Sequence, residues 1–257
     1  MIYSQIAITK PNPLNLKYIR VGKGQPVLLL RGTGGVSKDS YPYLLKELAK
    51  EFTVYSFIYP GFEGSTELPT WTNENFNVLI SEFLDKMGLN KVHLIGLSIG
   101  ASFAVSFAVN SPERINRLVL ISPSTTSIPK NWLIKGMNNS LFEVRKQNKT
   151  LKQLNKKEGS KNNLPPSVFK ISSIKNIKTF LKMYKYMRSL SLEKLLPLIN
   201  VRTSIFIGRQ DRLTDVDSEI KHAKLIKNSR LKIFENEGHY LFHNRPIDIV
   251  AELRNRR

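Results

Sequence analysis

The sequence contains no cysteine, which excludes disulfide frameworks and thiolate metal sites outright. No run approaches the ~18 consecutive apolar residues that a membrane-spanning helix needs. The start, Met1-Ile2-Tyr3-Ser4-Gln5-Ile6, lacks the basic flank and continuous apolar stretch of a signal peptide. A soluble cytoplasmic protein is therefore the expectation. Acidic residues are scarce, with 20 Asp and Glu against 40 Lys and Arg, a formal charge of +20. Histidine is scarce too, at four residues, so any site that needs an imidazole has few candidates. What the chain does have is length and apolar content. Its 257 residues, 41% of them hydrophobic, suffice for one large α/β domain carrying an insertion, and no second core is required.

Short apolar runs alternate with helical patterns. Leu14 to Val21, Val27 to Leu30, Phe52 to Tyr59, Val92 to Ile95 and Leu118 to Ile121 read as strands. Between them, Leu44, Leu45 and Leu48, then Phe76 to Leu84, then Ser98 to Val109, read as helices. After residue 123 the rhythm breaks. It resumes with a strand at Thr203 to Ile207, a helix around Ile220 to Ile226, a strand at Leu231 to Phe234 and a last helix from Pro246 to Leu253. Largely apolar strands alternating with helices predict a mostly parallel sheet covered by helices on both faces.

Within this pattern Gly96-Leu97-Ser98-Ile99-Gly100 joins a strand directly to a helix. That is the setting in which a G-x-S-x-G sequence forms a nucleophile elbow: a tight turn holds the serine out at the carboxyl edge of the sheet, and side chains at 96 or 100 would clash. The pentapeptide alone is equally compatible with an ordinary strand-to-helix turn, so its partners decide. A serine hydroxyl needs a base, and the base a carboxylate. Of the four histidines, His93 lies inside a strand and reads as packed, and His222 lies among lysines on a helix and reads as surface. His239 follows the last strand on the serine's edge of the sheet and is the candidate base, with His243 the runner-up. Asp211, directly after the strand Thr203 to Ile207, is the candidate acid. Asp215 and Asp217 stand at a helix entry, where carboxylates cap exposed amides. The resulting chain order, Ser98, Asp211, His239, is the one this elbow type uses.

With these residues in place the sequence resembles the α/β-hydrolase superfamily over almost its whole length. Beyond the elbow, Arg31-Gly32-Thr33-Gly34-Gly35 resembles the family's oxyanion loop, Pro60-Gly61-Phe62-Glu63-Gly64-Ser65 its P-G-F-G-x-S turn, and Gly208 to Asp211 and Gly238-His239 its acid and histidine segments. The resemblance implies an oxyanion hole from the backbone amides of Thr33 and Ile99, with no cofactor and no metal. It also implies a core of 1–123 and 201–257, with a helical cap of 124–200 inserted after the sixth strand. Three positions depart from the family pattern. Arg31 stands where histidine is usual, Glu63 where glycine is usual, and Ile58 where aspartate is common. Arg31 is either a neutral swap or a cation near the acyl site, and with Trp132 and Phe142 it is a substrate-pocket candidate.

The cap segment holds 16 basic side chains against 3 acidic ones, so it carries +13 of the total +20. Ile174, Ile177, Leu181 and Tyr184 form one helical stripe, and Lys175, Lys178, Lys182 and Lys185 the adjacent one, which predicts a basic amphipathic helix. Three function classes compete. A serine hydrolase, carboxylesterase-like, would cleave an ester or related acyl bond through an acyl-enzyme on Ser98, and an acyltransferase or thioesterase would use the same residues. A non-catalytic ligand-binding or membrane-surface protein on the same scaffold is disfavoured by the filled triad positions. A nucleic-acid binder is suggested by charge alone, with no nucleic-acid motif and no stacking platform beside it. The hydrolase is the expectation. Its partner would be a small-molecule acyl substrate, anionic or membrane-associated if the basic cap has a role, and no nucleic acid.

Overall fold

The computed structural model describes residues 2–32, 41–124 and 174–254. Eight strands, β1 (Ile2–Ile8), β2 (Leu14–Val21), β3 (Gln25–Leu30), β4 (Phe52–Phe57), β5 (Val92–Leu97), β6 (Ile115–Ile121), β7 (Thr203–Gly208) and β8 (Ser229–Phe234), form one sheet. Their order is β1-β2-β4-β3-β5-β6-β7-β8. β1 and β2 pair antiparallel to their neighbours, and every pair from β4 to β8 is parallel. The mostly parallel sheet expected from the apolar rhythm is the observed one. The sequence order reverses direction around β3, as in a doubly wound α/β fold.

The strands read as continuous apolar runs because both faces are covered, so both side-chain phases must be apolar. Leu28, Leu30, Leu94, Leu118, Leu120, Ile205 and Ile207 face one core, with helices α2 (Asn73–Lys86) and α3 (Ile99–Asn110). Their alternates Val27, Leu29, Ile95, Leu97, Val119, Ile121 and Phe206 face the other. That second core holds α1 (Pro42–Leu48) and the last helix, Pro246–Arg254. Buried on nearly every side, α3 packs Phe103, Ala104 and Phe107 without a polar face. It is thereby anchored firmly where it begins, directly after residue 98.

From the segment 124–200, the described part is helix α4 (Ile174–Ser189) and the short turns after it. The side chains that bury α4 are not all those of the expected stripe. Phe180, Met183, Tyr186 and Met187 are buried against Phe76, Phe103 and Trp71, with Tyr186 stacked on Phe103 at 5.5 Å. Leu181, assigned to the apolar stripe from the sequence, is 46% exposed, and Tyr184 is half-buried. Both stripes are apolar in sequence. The aromatic and methionine side chains fill the space over α3, Tyr184 packs at their margin, and Leu181 is left outside, while the side chains of Ile174, Lys175 and Ile177 lie outside the described residues. Lys178, Lys182 and Lys185 are exposed as expected. Helix α5 (Val216–Ala223) starts at the carboxylates read as its entry, with Asp215 as the cap, and ends before Ile226. Among the described residues, no helix is long and apolar enough to cross a membrane.

Candidate active site

Ser98 is the single residue between the end of β5 and the start of α3, and its backbone takes φ 52°, ψ −120°. A non-glycine residue held there stores about 1–3 kcal/mol, a strain that survives only where packing over-determines it. The packing is visible at the flanking glycines. A Cβ on Gly96 would lie 2.6 Å from Ala101 Cα and 2.7 Å from Gly100 O, and one on Gly100 would lie 2.3 Å from Leu30 O and 2.5 Å from Arg31 O. No side chain fits either place, so helix and strand close on each other and the serine is turned out at the carboxyl edge.

The other two members come from neighbouring loops at that edge. Asp211 follows β7 and His239 follows β8, and both are buried. Gly208 lets the two loops touch: a Cβ there would stand 2.5 Å from Gly238 O and 2.6 Å from Glu237 O. Gln210 N donates to Glu237 O at 2.8 Å across the same seam. His239 Nδ1 lies 2.7 Å from Asp211 Oδ2, and His239 Nε2 lies 3.0 Å from Ser98 Oγ. The other carboxylate oxygen of Asp211 accepts from Leu213 N at 2.7 Å and Thr214 N at 3.1 Å. Burial pushes the Asp211 carboxyl up, but the histidine and the two amides outweigh it, and the group sits below the ordinary carboxylate value. An ionised Asp211 can only accept, so Nδ1 carries the proton and Nε2 is left to accept from Ser98. The arrangement can take a proton from the serine hydroxyl.

The alternatives lie elsewhere. Asp215 accepts from Ser218 N at 3.2 Å as the cap of α5, and Asp217 faces Arg209 at 3.7 Å on the surface. His243 is buried edge-on to Tyr43, with ring centroids 6.3 Å apart. His93 faces Gln25 Oε1 at 3.1 Å and packs its ring edge-on to Phe52. His222 is half-buried on α5.

Ile99 opens α3, so its amide is one of the first-turn N–H groups with no intrahelical acceptor. Thr33, Trp132 and Phe142 lie outside the described residues. Arg31 is buried, and its Nε donates to Ser56 Oγ on β4 at 2.8 Å. Burial pushes the pKa values of Tyr41, Tyr59 and Glu63 up, and the nearby guanidinium pulls each of them part of the way back down. Glu63 takes φ 40°, the backbone region for which glycine is usual at this turn position.

Three site-edge residues had no signal in the sequence. Ser122, the first residue after β6, takes φ 43° and donates from Oγ to His239 O at 2.7 Å, so it holds the histidine loop. Tyr59 Oη donates to Arg31 O at 2.7 Å, and Gly32 N donates to Tyr41 Oη at 3.1 Å. The Arg31–Gly32 peptide is thus gripped on both sides by buried tyrosines. A positive φ after a parallel strand would have pointed to Ser122, but φ is not readable from a serine codeword in sequence.

Residues 25–142 match the family model described as alpha/beta hydrolase fold. The chain is 24% identical over 245 residues to 2-hydroxy-6-oxononadienedioate/2-hydroxy-6-oxononatrienedioate hydrolase 1 of Pseudomonas putida, covering 88% of this chain and 86% of that one. It is 26% identical over 264 residues to monoacylglycerol lipase ABHD6 of Homo sapiens, covering 92% and 78%. Among solved structures, MGS-M2, an alpha/beta hydrolase enzyme from a Medee basin deep-sea metagenome library, superposes with a TM-score of 0.76 at 18% identity, over 97% of this chain and 95% of that one. The strand order, the strained serine turn and these matches together show that the chain has the α/β-hydrolase fold.

Proposed function

We propose that this α/β-hydrolase-type enzyme cleaves a carboxylic ester through an acyl-enzyme on Ser98. The observation that carries the reading is the unbroken chain from Ser98 Oγ to His239 to Asp211, 3.0 Å and 2.7 Å long, assembled from three separate strand ends. Ser98 Oγ attacks the acyl carbon while its proton passes to His239 Nε2, and Asp211 steadies the imidazolium without taking the proton. The tetrahedral oxyanion is met by the amides of Ile99 and Thr33, donors aimed at charge that develops only then. As the C–O bond breaks, Nε2 returns the proton to the leaving alcohol. Water then enters, gives its proton to Nε2 and attacks the acyl carbon, and the proton returns to Ser98 as the acid departs. Transfer to another acceptor would use the same residues.

In this reading residues 1–123 and 201–257 form the catalytic core and 124–200 the cap. The substrate is a small acyl compound that is anionic or carried on a membrane. Support comes from the +13 of that segment and from α4, which presents Lys178, Lys182, Lys185 and Arg188 outward. One relative is named for a dicarboxylate and another for a monoacylglycerol. The test combines fluorophosphonate labelling with turnover of p-nitrophenyl esters of graded chain length. Ser98→Ala should abolish labelling, and Ser98→Ala and Asp211→Asn should each lower kcat by ~10³-fold or more. Asp215→Asn, which changes only a helix cap, should leave kcat within threefold. A Ser98→Ala protein that still turns over within tenfold of the parent ends the reading.

A further inference from the structure

Tyr41 stands at the start of α1 and reaches back to the end of β3. Its ring packs on Phe242 with centroids 5.2 Å apart, and the side chain is buried at 5% exposure. Its oxygen accepts the amide hydrogen of Gly32 at 3.1 Å. That bond uses a lone pair and leaves the phenol's own hydrogen, for which no acceptor exists among the described residues. A buried hydroxyl with an unspent donor is costly unless something else accepts it.

The surroundings say what that is. A carbon at the Cβ position of Gly32 would stand 3.3 Å from Ser98 Cβ, 3.5 Å from Leu97 O and 3.7 Å from Tyr41 Oη. The nucleophile and the phenol therefore border one small space at the carboxyl edge of β3 and β5. The amide of Gly32 is already spent on Tyr41, so this glycine cannot serve an oxyanion itself.

We propose that Tyr41 is a further catalytic residue, whose hydroxyl donates a hydrogen bond to the acyl oxygen as it becomes an oxyanion on Ser98. The inference rests on Ser98 being the nucleophile. The proton stays on the tyrosine throughout, so the bond is a dipole fixed toward developing charge and no transfer is involved. Burial supports this role by raising the Tyr41 pKa to about 12, with Arg31 and the Gly32 amide pulling weakly the other way. The phenol is thus neutral and a donor at any working pH. Tyr59 has a different part. Its hydroxyl is committed to Arg31 O, so it positions the strand end and does not reach the substrate.

The test compares three proteins in p-nitrophenyl butyrate turnover and in inhibition by an alkyl trifluoromethyl ketone, which forms a tetrahedral adduct. Tyr41→Phe should lower kcat about 10²-fold, the loss typical of one oxyanion donor, with KM changed less than threefold. The ketone should weaken in proportion to kcat. Loss of the Gly32 contact alone could also disturb the site, so a second variant separates the two. 3-Fluorotyrosine installed at position 41 makes the phenol a better donor and a poorer acceptor. Donation to the oxyanion predicts that kcat holds or rises, whereas a role limited to holding Gly32 predicts that it falls. Ser98→Ala serves as the control, because activity surviving there overturns the nucleophile assignment itself. A dead Ser98→Ala protein, together with a Tyr41→Phe protein within threefold of the parent or a fluorotyrosine protein that loses activity, overturns the role of Tyr41 alone.

Discussion

Gly100→Ala is the sharpest test of how the elbow is built, because its effect follows from one measured overlap. The new methyl would lie 2.3 Å from Leu30 O and 2.5 Å from Arg31 O, backbone at and just past the end of the central strand β3. An ordinary contact of this kind is above 3.0 Å, so α3 must retreat by most of an ångström at its first turn. Two consequences have separate magnitudes. Overpacking of this kind costs about 1–3 kcal/mol. For a domain of this size each kcal/mol lowers Tm by roughly 2–4 °C, so a fall of about 2–12 °C is expected. The retreat also carries Ser98, which adjoins the helix, away from His239 Nε2, and a hydrogen bond of 3.0 Å does not survive such a shift. A misplacement of about 1 Å costs ~10²-fold in turnover. Gly88→Ala is the matched control: nothing lies within 4 Å of its Cβ position, but φ is +67°, so it is strained without any steric push on the site. Scanning calorimetry and p-nitrophenyl ester kinetics on both proteins should show Tm lowered in each and kcat lowered only in Gly100→Ala. Unchanged kcat and Tm in Gly100→Ala would refute the account of the glycines as enforced close approaches.

Two other outcomes follow from buried histidines and from the exposed lysines. Burial, helped by Arg117, holds the His93 pKa down at about 4, and burial alone holds His243 at about 3, against an ordinary 6.5. Below pH 6.5 the unfolded chain binds protons that the folded chain refuses, so stability is complete above that pH and falls as pH drops toward 4 and 3. Tm should decline between pH 6.5 and 4.5, less steeply in His243→Gln, and a pH-independent Tm over that window would contradict the burial of both rings. On α4, Lys178, Lys182 and Lys185 are exposed beside Leu181, and Lys182 also pairs with Glu67 at 2.7 Å. Each lysine near an anionic bilayer contributes about 1 kcal/mol. Replacing all three by glutamine should therefore weaken binding to phosphatidylserine vesicles at least tenfold in co-sedimentation, while binding to phosphatidylcholine vesicles stays as it was. Equal binding of parent and variant to both vesicle types would reduce the stripe to solvated surface.

The amino-acid order by itself determined the layered sheet and the chemical types at its carboxyl edge. Apolar runs such as Leu118 to Ile121, continuous in both side-chain phases, admit only a strand covered on both faces, and that is local information. Ser98 was legible because two glycines beside it declare a close approach before any coordinates exist. Asp215 was legible as a cap because capping depends on the next three residues alone. Only the tertiary structure decided that Met183 of α4 is buried and Leu181 is not, since the two are alike in sequence and differ in what stands opposite. It also decided the position of Arg31 against Ser56, and the parts played by Ser122, Tyr41 and Tyr59. Those contacts join residues up to 117 positions apart, between serines and tyrosines of which the chain has many. Local pattern carries the period and the turn, whereas a hydrogen bond between distant loops exists only once the sheet has brought their strand ends together.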